Sequence, residues 1–175
     1  MTKTSSAGLN ETLKHFPPES HPWVGKITFS FGYPEQGWIQ FAITSATFVQ
    51  GVIVHLSNVF DPFPEFIRWL GDIADGNLPS EFVIDEEGEE KVFRSSPFNE
   101  DKFIFEILEL LYGENKSEEQ PTLLYVQVAK KQFISEFLKR WDDFLKDQYD
   151  PVPWEEYGSD LRKMDVSKLR KFVSE

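Results

Sequence analysis

Six consecutive residues form the densest group of side chains that could do chemistry in this 175-residue chain: Asp85, Glu86, Glu87, Gly88, Glu89 and Glu90. Clustered carboxylates can hold a hard cation such as calcium, but an EF-hand loop needs ligands at alternating positions and a terminal bidentate glutamate, which this run lacks. Runs of like charge usually face water. The run therefore predicts the solvated tip of a hairpin, with a binding surface as the alternative. We expect no metal site here.

The other reactive side chains do not form a recognisable catalytic or metal-binding pattern. The three histidines, His15, His21 and His55, lack the spacing of metal ligands, and the absence of cysteine removes thiolate chemistry and disulfides. Neither a nucleophile elbow nor a glycine-rich phosphate loop occurs. Only His55 would merit a test as an acid or base. The sequence predicts no catalytic residue and no cofactor, and therefore a protein that is not an enzyme.

The distribution of charge narrows the class of partner. The net charge is -12, and residues 58–120 hold 17 acidic and 5 basic side chains, which accounts for the whole excess. Nucleic acids and anionic lipids require a basic surface, so we expect neither as a partner. With no apolar run long enough to span a membrane, no secretion signal and no cysteine, a cytoplasmic location is expected.

An amphipathic helix is predicted over residues 62–75. Its apolar residues recur at intervals of three or four: Phe63, Phe66, Ile67, Leu70 and Ile73. Asp61 is suited to cap its start, Pro62 to its first position, and Gly76 to the left-handed residue that ends it. We expect this helix to cover one face of a sheet.

The remaining pattern predicts strands and a second helix over residues 131–147. Apolar residues alternate with polar ones in residues 27–31 and 38–47, and the acidic run joins two short strands into a hairpin. Residues 102–108 fit either a strand or a helix, and we favour a strand. The expected fold class is α+β, an antiparallel sheet of five to seven strands built from hairpins, with one face covered by the two helices.

The ends of the chain differ from its middle in composition. Residues 1–21 predict a mobile N-terminal arm, residues 22–148 a single α+β domain, and residues 149–175 a C-terminal extension with a short basic helix. The extension is opposite in sign to the acidic middle of the chain. It could therefore fold back within one chain or bridge two chains, so a homodimer is possible.

Aromatic and basic residues outside the acidic run complete the candidate surface. Trp69 lies off the main stripe of the first helix, which leaves both burial and partial exposure open. In the extension, Trp154 and Tyr157 could dock on their own chain or contact a partner, and Arg162 and Lys163 could contribute tail contacts.

The chain's overall profile, small, acidic, cysteine-free and rich in aromatic residues, is similar to that of immunity proteins that neutralise bacterial toxins. This resemblance is one of composition and transfers no functional residue. The leading hypothesis is a non-catalytic interaction module whose acidic surface binds a basic protein. A small-molecule binding protein or enzyme with a pocket between sheet and helices, and a self-assembling structural protein, remain alternatives.

Overall fold

The computed structural model of the chain describes residues 23–45, 51–110 and 121–175. The predicted N-terminal arm, residues 1–21, lies outside these described residues. Within them the fold is α+β, as predicted, with two mainly antiparallel sheets and several helices.

The first sheet has three antiparallel strands in the order β2-β3-β4. They are β2 (Ile27–Phe31), β3 (Trp38–Ser45) and β4 (Gly51–Ser57). In β2 the side chains of Ile27, Phe29 and Phe31 are buried, and those between them are more exposed. This alternation confirms the period of two in the sequence and gives the sheet one face in the core.

The second sheet has five strands in the order β1-β8-β7-β6-β5. The strands are β1 (Trp23–Val24), β5 (Ser80–Asp85), β6 (Glu90–Pro97), β7 (Lys102–Leu110) and β8 (Thr122–Ala129). β1 pairs with β8 in parallel, and the other pairs are antiparallel. The predicted hairpin around the acidic run and the strand reading of residues 102–108 are both confirmed.

The structure corrects the prediction of a single sheet of five to seven strands. β4 and β5 belong to different sheets, although they contact each other. Side chains that follow β5 make hydrogen bonds across the boundary to the backbone of His55 and the side chain of Ser57 in β4. Side-chain bonds therefore join the two sheets at this end.

The two predicted helices are present with boundaries shifted by one residue. α1 spans Phe63–Asp75, and α2 spans Lys130–Asp147. Gly76 ends α1 in the left-handed conformation, with φ of 75°, as predicted. At the start of α1, Pro62 occupies the cap position, and Asp61 accepts the Phe63 N–H at 3.0 Å. Asp61 thus satisfies a helix donor from just before the cap.

Both helices pack on both sheets through aromatic rings. In α1, Phe66 lies 5.5 Å from Phe41 of β3 and 6.0 Å from Phe93 of β6, measured between ring centroids. In α2, Phe133 lies 5.1 Å from both Phe29 of β2 and Phe105 of β7. One aromatic core therefore holds the two sheets and the two helices together.

The C-terminal residues fold back onto the same core. They form α3 (Pro151–Trp154), a 3-10 turn (Leu161–Lys163) and α4 (Ser167–Ser174), the predicted basic helix. In α4, Leu169 is buried, Lys168 forms a salt bridge with Asp75, and Arg170 binds Asp142 at 2.5 and 3.0 Å. The opposite charges thus meet within one chain. The predicted division at residues 148 and 149 stays a prediction.

Candidate functional site

Residues 57–61, the last residue of β4 and most of the loop that leads to α1, lie at the centre of the candidate site. Asn58 is buried in this loop, and its backbone N–H donates to the carbonyl oxygen of Gly37 at 2.8 Å. Its side-chain amide donates to the carbonyl oxygens of Trp154 at 3.2 Å and Pro153 at 3.4 Å. One residue therefore ties the β2-β3 turn and the C-terminal segment to this loop.

Asp61 adds a second link between this loop and the C-terminal segment. One of its carboxylate oxygens accepts the Phe63 N–H, and the other accepts the Ser159 N–H at 2.8 Å. Hydrogen bonds to a charged acceptor are stronger than those between neutral groups. Asp61 therefore fixes both the start of α1 and the position of the segment that carries Tyr157.

The tip of the acidic hairpin is attached to the same loop. Ser57 donates its hydroxyl to a carboxylate oxygen of Glu87 at 2.6 Å, and the backbone N–H of Glu87 donates to Asp85 at 2.8 Å. Glu87 has φ of 59°, a left-handed conformation that is unfavourable for a residue with a long side chain. These bonds hold the tip in one geometry despite that strain.

Beneath the tip, Glu86 and Lys91 form a nearly buried ion pair. Lys91 Nζ lies 2.8 Å from Glu86 and 2.7 Å from Glu109, and the side chains of Lys91 and Glu86 are 6% and 8% exposed. Burial alone would lower the pKa of Lys91, but the hydrogen bonds to Glu109 and Glu86 outweigh it and raise the pKa above its ordinary value. Glu87 and Glu89 are exposed, as expected for the solvated tip of a hairpin, whereas Glu86 is not.

An open groove separates the hairpin tip from the loop that follows β4. It has a volume of about 590 Å³ and is lined by Val59, Phe60, Asp85, Glu87 and Gly88. Val59 is 57% exposed and Phe60 is 49% exposed. The groove thus places apolar surface on one side and carboxylates on the other.

The four connected segments define a surface that we call the acidic pole, residues 33–37, 57–61, 85–90 and 149–160. They contain eleven aspartates and glutamates but no lysine or arginine. The acidic pole also carries five of the large exposed hydrophobic residues, namely Tyr33, Val59, Phe60, Val152 and Tyr157. Exposed aromatic groups beside charges are typical of residues that dominate binding energy at interfaces.

The predicted surface residues divide between the acidic pole and the core. Asp85, Glu86, Glu87, Glu89 and Glu90 lie on the acidic pole, where Asp85, Glu86 and Glu90 are partly covered. Trp69 is fully buried, and its indole N–H donates to the carbonyl oxygen of Ser80 at 3.2 Å, so it is not part of any surface. Its ring completes the contact between α1 and the second sheet.

The four predicted tail residues also have different environments. Trp154 is fully buried against Phe63, whereas Tyr157 is 68% exposed. Arg162 places its guanidinium 5.1 Å from the ring centroid of Tyr149, and Lys163 forms an ion pair with Asp160 at 2.9 Å. Trp154 therefore docks on its own chain, and Tyr157 is the one of these four residues that adds an exposed aromatic ring to the acidic pole.

The sequence argument missed Asn58, Val59 and Phe60, which form the centre of the acidic pole. Val59 and Phe60 are adjacent apolar residues between a strand of period two and the helix start at Pro62, so they fit neither pattern. That mismatch is the signal that could have found them. Asn58 carries no comparable signal, because its partners are distant in the sequence.

No family model, curated protein or solved structure matches the chain. Within the part of the chain that the structure describes, no group of three or more histidine or acidic side chains is placed to hold a metal ion. Among the helices of residues 23–45, 51–110 and 121–175, none is long and apolar enough to cross a membrane.

Proposed function

We propose that this chain is a non-catalytic interaction protein that binds a basic protein partner through the acidic pole. The observation that carries the proposal is the groove in which exposed Phe60 and Val59 face the carboxylates of Asp85 and Glu87. An apolar centre supplies affinity, and the surrounding carboxylates supply orientation and a fast encounter with a cationic surface. An inhibited nuclease-type toxin is one example of such a partner.

The hydrogen bonds and the ion pair beneath the groove hold its walls in place, which favours binding without a large rearrangement. Glu86 is held by Lys91 and by the backbone of His55, and Asn58 holds the neighbouring segments. Side chains and loops that are already ordered lose less conformational entropy when a partner binds. The acidic pole is therefore suited to recognise a partner as a preformed surface.

The two alternative functions have less support in the structure. The space between the sheets and helices is occupied by aromatic rings, among them Phe66, Trp69 and Phe137, which leaves the pocket hypothesis without an observation in its favour. The basic helix α4 pairs with acidic residues of its own chain. Charge complementarity therefore gives no reason to invoke a second copy.

A lysine homopolymer labelled with a fluorophore provides a defined cationic probe for this proposal. We expect it to bind the chain at low salt, and we expect the double substitution Glu87→Gln and Glu89→Gln to weaken binding at least threefold. The matched control is Asp143→Asn with Asp147→Asn, which removes the same charge from exposed positions of α2. Equal weakening by the two double variants would show that net charge alone attracts the probe, and would refute the proposal.

A further inference from the structure

We infer that the acidic pole recognises arginine in preference to lysine on its partner, an inference that rests on the proposed function. The acidic pole combines exposed aromatic rings with carboxylates on the same segments. Tyr33 is two residues from Glu35, and Tyr157 follows Glu155 and Glu156. Phe60 faces Glu87 across the groove.

The chemistry of the two basic side chains differs at such a surface. A guanidinium is planar and weakly hydrated, so it can stack on an aromatic ring while its edge binds a carboxylate through two N–H groups. The lysine ammonium is a compact, strongly hydrated charge that gains less from the ring. A surface of carboxylates alone would attract both, whereas rings beside carboxylates favour arginine.

At the border of the acidic pole, the chain itself places a guanidinium over an aromatic ring. The guanidinium of Arg162 lies over the ring of Tyr149, at 5.1 Å from its centroid. The hydroxyl of that tyrosine donates to Glu155 at 2.8 Å. A basic side chain over a ring that is linked to a carboxylate is therefore compatible with the local geometry.

The rings available to a partner are more exposed than the ring of Tyr149. Tyr33 is 64% exposed, Tyr157 is 68% exposed and Phe60 is 49% exposed, whereas Tyr149 is 7% exposed. A cation over an exposed ring strengthens binding by about two- to fivefold. Lysine gains part of this stabilisation, so two such contacts would make arginine binding several-fold tighter than lysine binding.

The test compares arginine and lysine homopolymers of equal length, titrated at the same low salt into the full chain and followed by fluorescence anisotropy. We expect the arginine homopolymer to bind several-fold more tightly. The substitutions Phe60→Ala and Tyr157→Ala should each weaken arginine binding more than lysine binding, and so reduce this preference. Phe98→Ala is a matched control, because Phe98 is also 49% exposed but lies outside the acidic pole, and it should keep the preference.

The outcomes of this test distinguish a failure of the arginine preference from a failure of the proposed function. Equal binding of the two homopolymers by the unmodified chain, or a preference that persists in both Phe60→Ala and Tyr157→Ala, overturns the inference and leaves the proposed function standing. Binding of neither homopolymer overturns both. Each variant replaces an exposed side chain, and its thermal unfolding should match that of the unmodified chain.

Discussion

The carboxylate of Glu86 accepts the backbone N–H of His55 at 2.6 Å, and this bond joins the two sheets of the fold. Its other oxygen lies 2.8 Å from Nζ of Lys91. An edge strand exposes backbone donors that need partners, and a glutamate side chain supplies one here. The base of the acidic hairpin is therefore structural, whereas Glu87 and Glu89 at its tip are exposed.

Because the base of the hairpin is structural and its tip is exposed, substitutions of Glu86 and Glu89 should change the free energy of unfolding by different amounts. Glu86→Gln should lower the free energy of unfolding by about 1 to 3 kcal/mol, because it removes the charged acceptor of the His55 N–H and one nearly buried ionic contact of Lys91, which keeps Glu109. Glu89→Gln should change it by less than about 0.5 kcal/mol, since that side chain is 60% exposed. Urea denaturation measures both. Similar losses for the two variants would contradict the structural role of Glu86.

The raised pKa of Lys91 predicts that the folded chain loses stability at alkaline pH. Its pKa is raised in the folded chain, so the unfolded chain releases this proton first, and stability falls as the pH rises above the ordinary value of 10.5. Burial, followed by the hydrogen bond to Glu155, raises the pKa of the Tyr149 hydroxyl and adds a loss of the same sign. Urea denaturation at a series of pH values above 10.5 should show that the free energy of unfolding falls less steeply with pH in Lys91→Met than in the unmodified chain. An unchanged slope would contradict the assignment.

Asn58 is predicted to fix the C-terminal part of the acidic pole. Asn58→Ala leaves the carbonyl oxygens of Pro153 and Trp154 without this donor and should cost about 1 to 3 kcal/mol. Amide hydrogen exchange should become faster in residues 149–160. Asn77→Ala, at an exposed position after α1, is the control and should change neither quantity appreciably. If amide exchange in residues 149–160 were unchanged in Asn58→Ala, Asn58 would not be the residue that holds this segment.

Two glycines should respond to alanine in opposite directions. A Cβ on Gly158 would lie 2.5 Å from Nε1 of the buried Trp154 ring, so Gly158→Ala should destabilise the chain by about 1 to 3 kcal/mol. A Cβ on Gly71 in α1 would lie 3.7 Å from Nζ of Lys168, an ordinary van der Waals contact with the flexible end of a side chain. Gly71→Ala should stabilise the helix by about 0.5 to 1 kcal/mol. The midpoint of thermal unfolding should fall for Gly158→Ala and rise for Gly71→Ala. A change of the same sign and size in both variants would contradict the packing around Trp154.

Local pattern was sufficient to predict the helices and most strands. The apolar stripe of α1, its stop at Gly76 and the alternation in β2 depend on residues that are close in sequence. The arrangement of two sheets depends on pairings between distant strands, and the contact that joins the sheets, between His55 and Glu86, spans 31 positions. Periodicity carries no information about such pairs, so a single sheet was the simpler expectation.

The candidate site was predicted only in part for the same reason. The acidic run is visible in the sequence, and the hairpin places it on the surface. Its position beside Phe60 depends on the bond between Ser57 and Glu87, and the bonds of Asn58 and Asp61 attach the C-terminal segment to the same loop, so all of these links join distant segments. The sequence allows both burial and exposure of Trp69, because a tryptophan at the edge of a helical stripe can face either the core or the solvent. Its bond to Ser80 keeps its indole satisfied in the core.

The most direct test of the account maps where a basic ligand binds. Amide NMR spectra of the isotope-labelled full chain, recorded during titration with the arginine homopolymer, would locate the contact residue by residue. We predict that the largest shift changes fall in residues 33–37, 57–61, 85–90 and 149–160, and that they weaken with salt. Changes spread evenly over the surface, or concentrated on α2 and α4, would contradict the claim that the acidic pole is the binding surface.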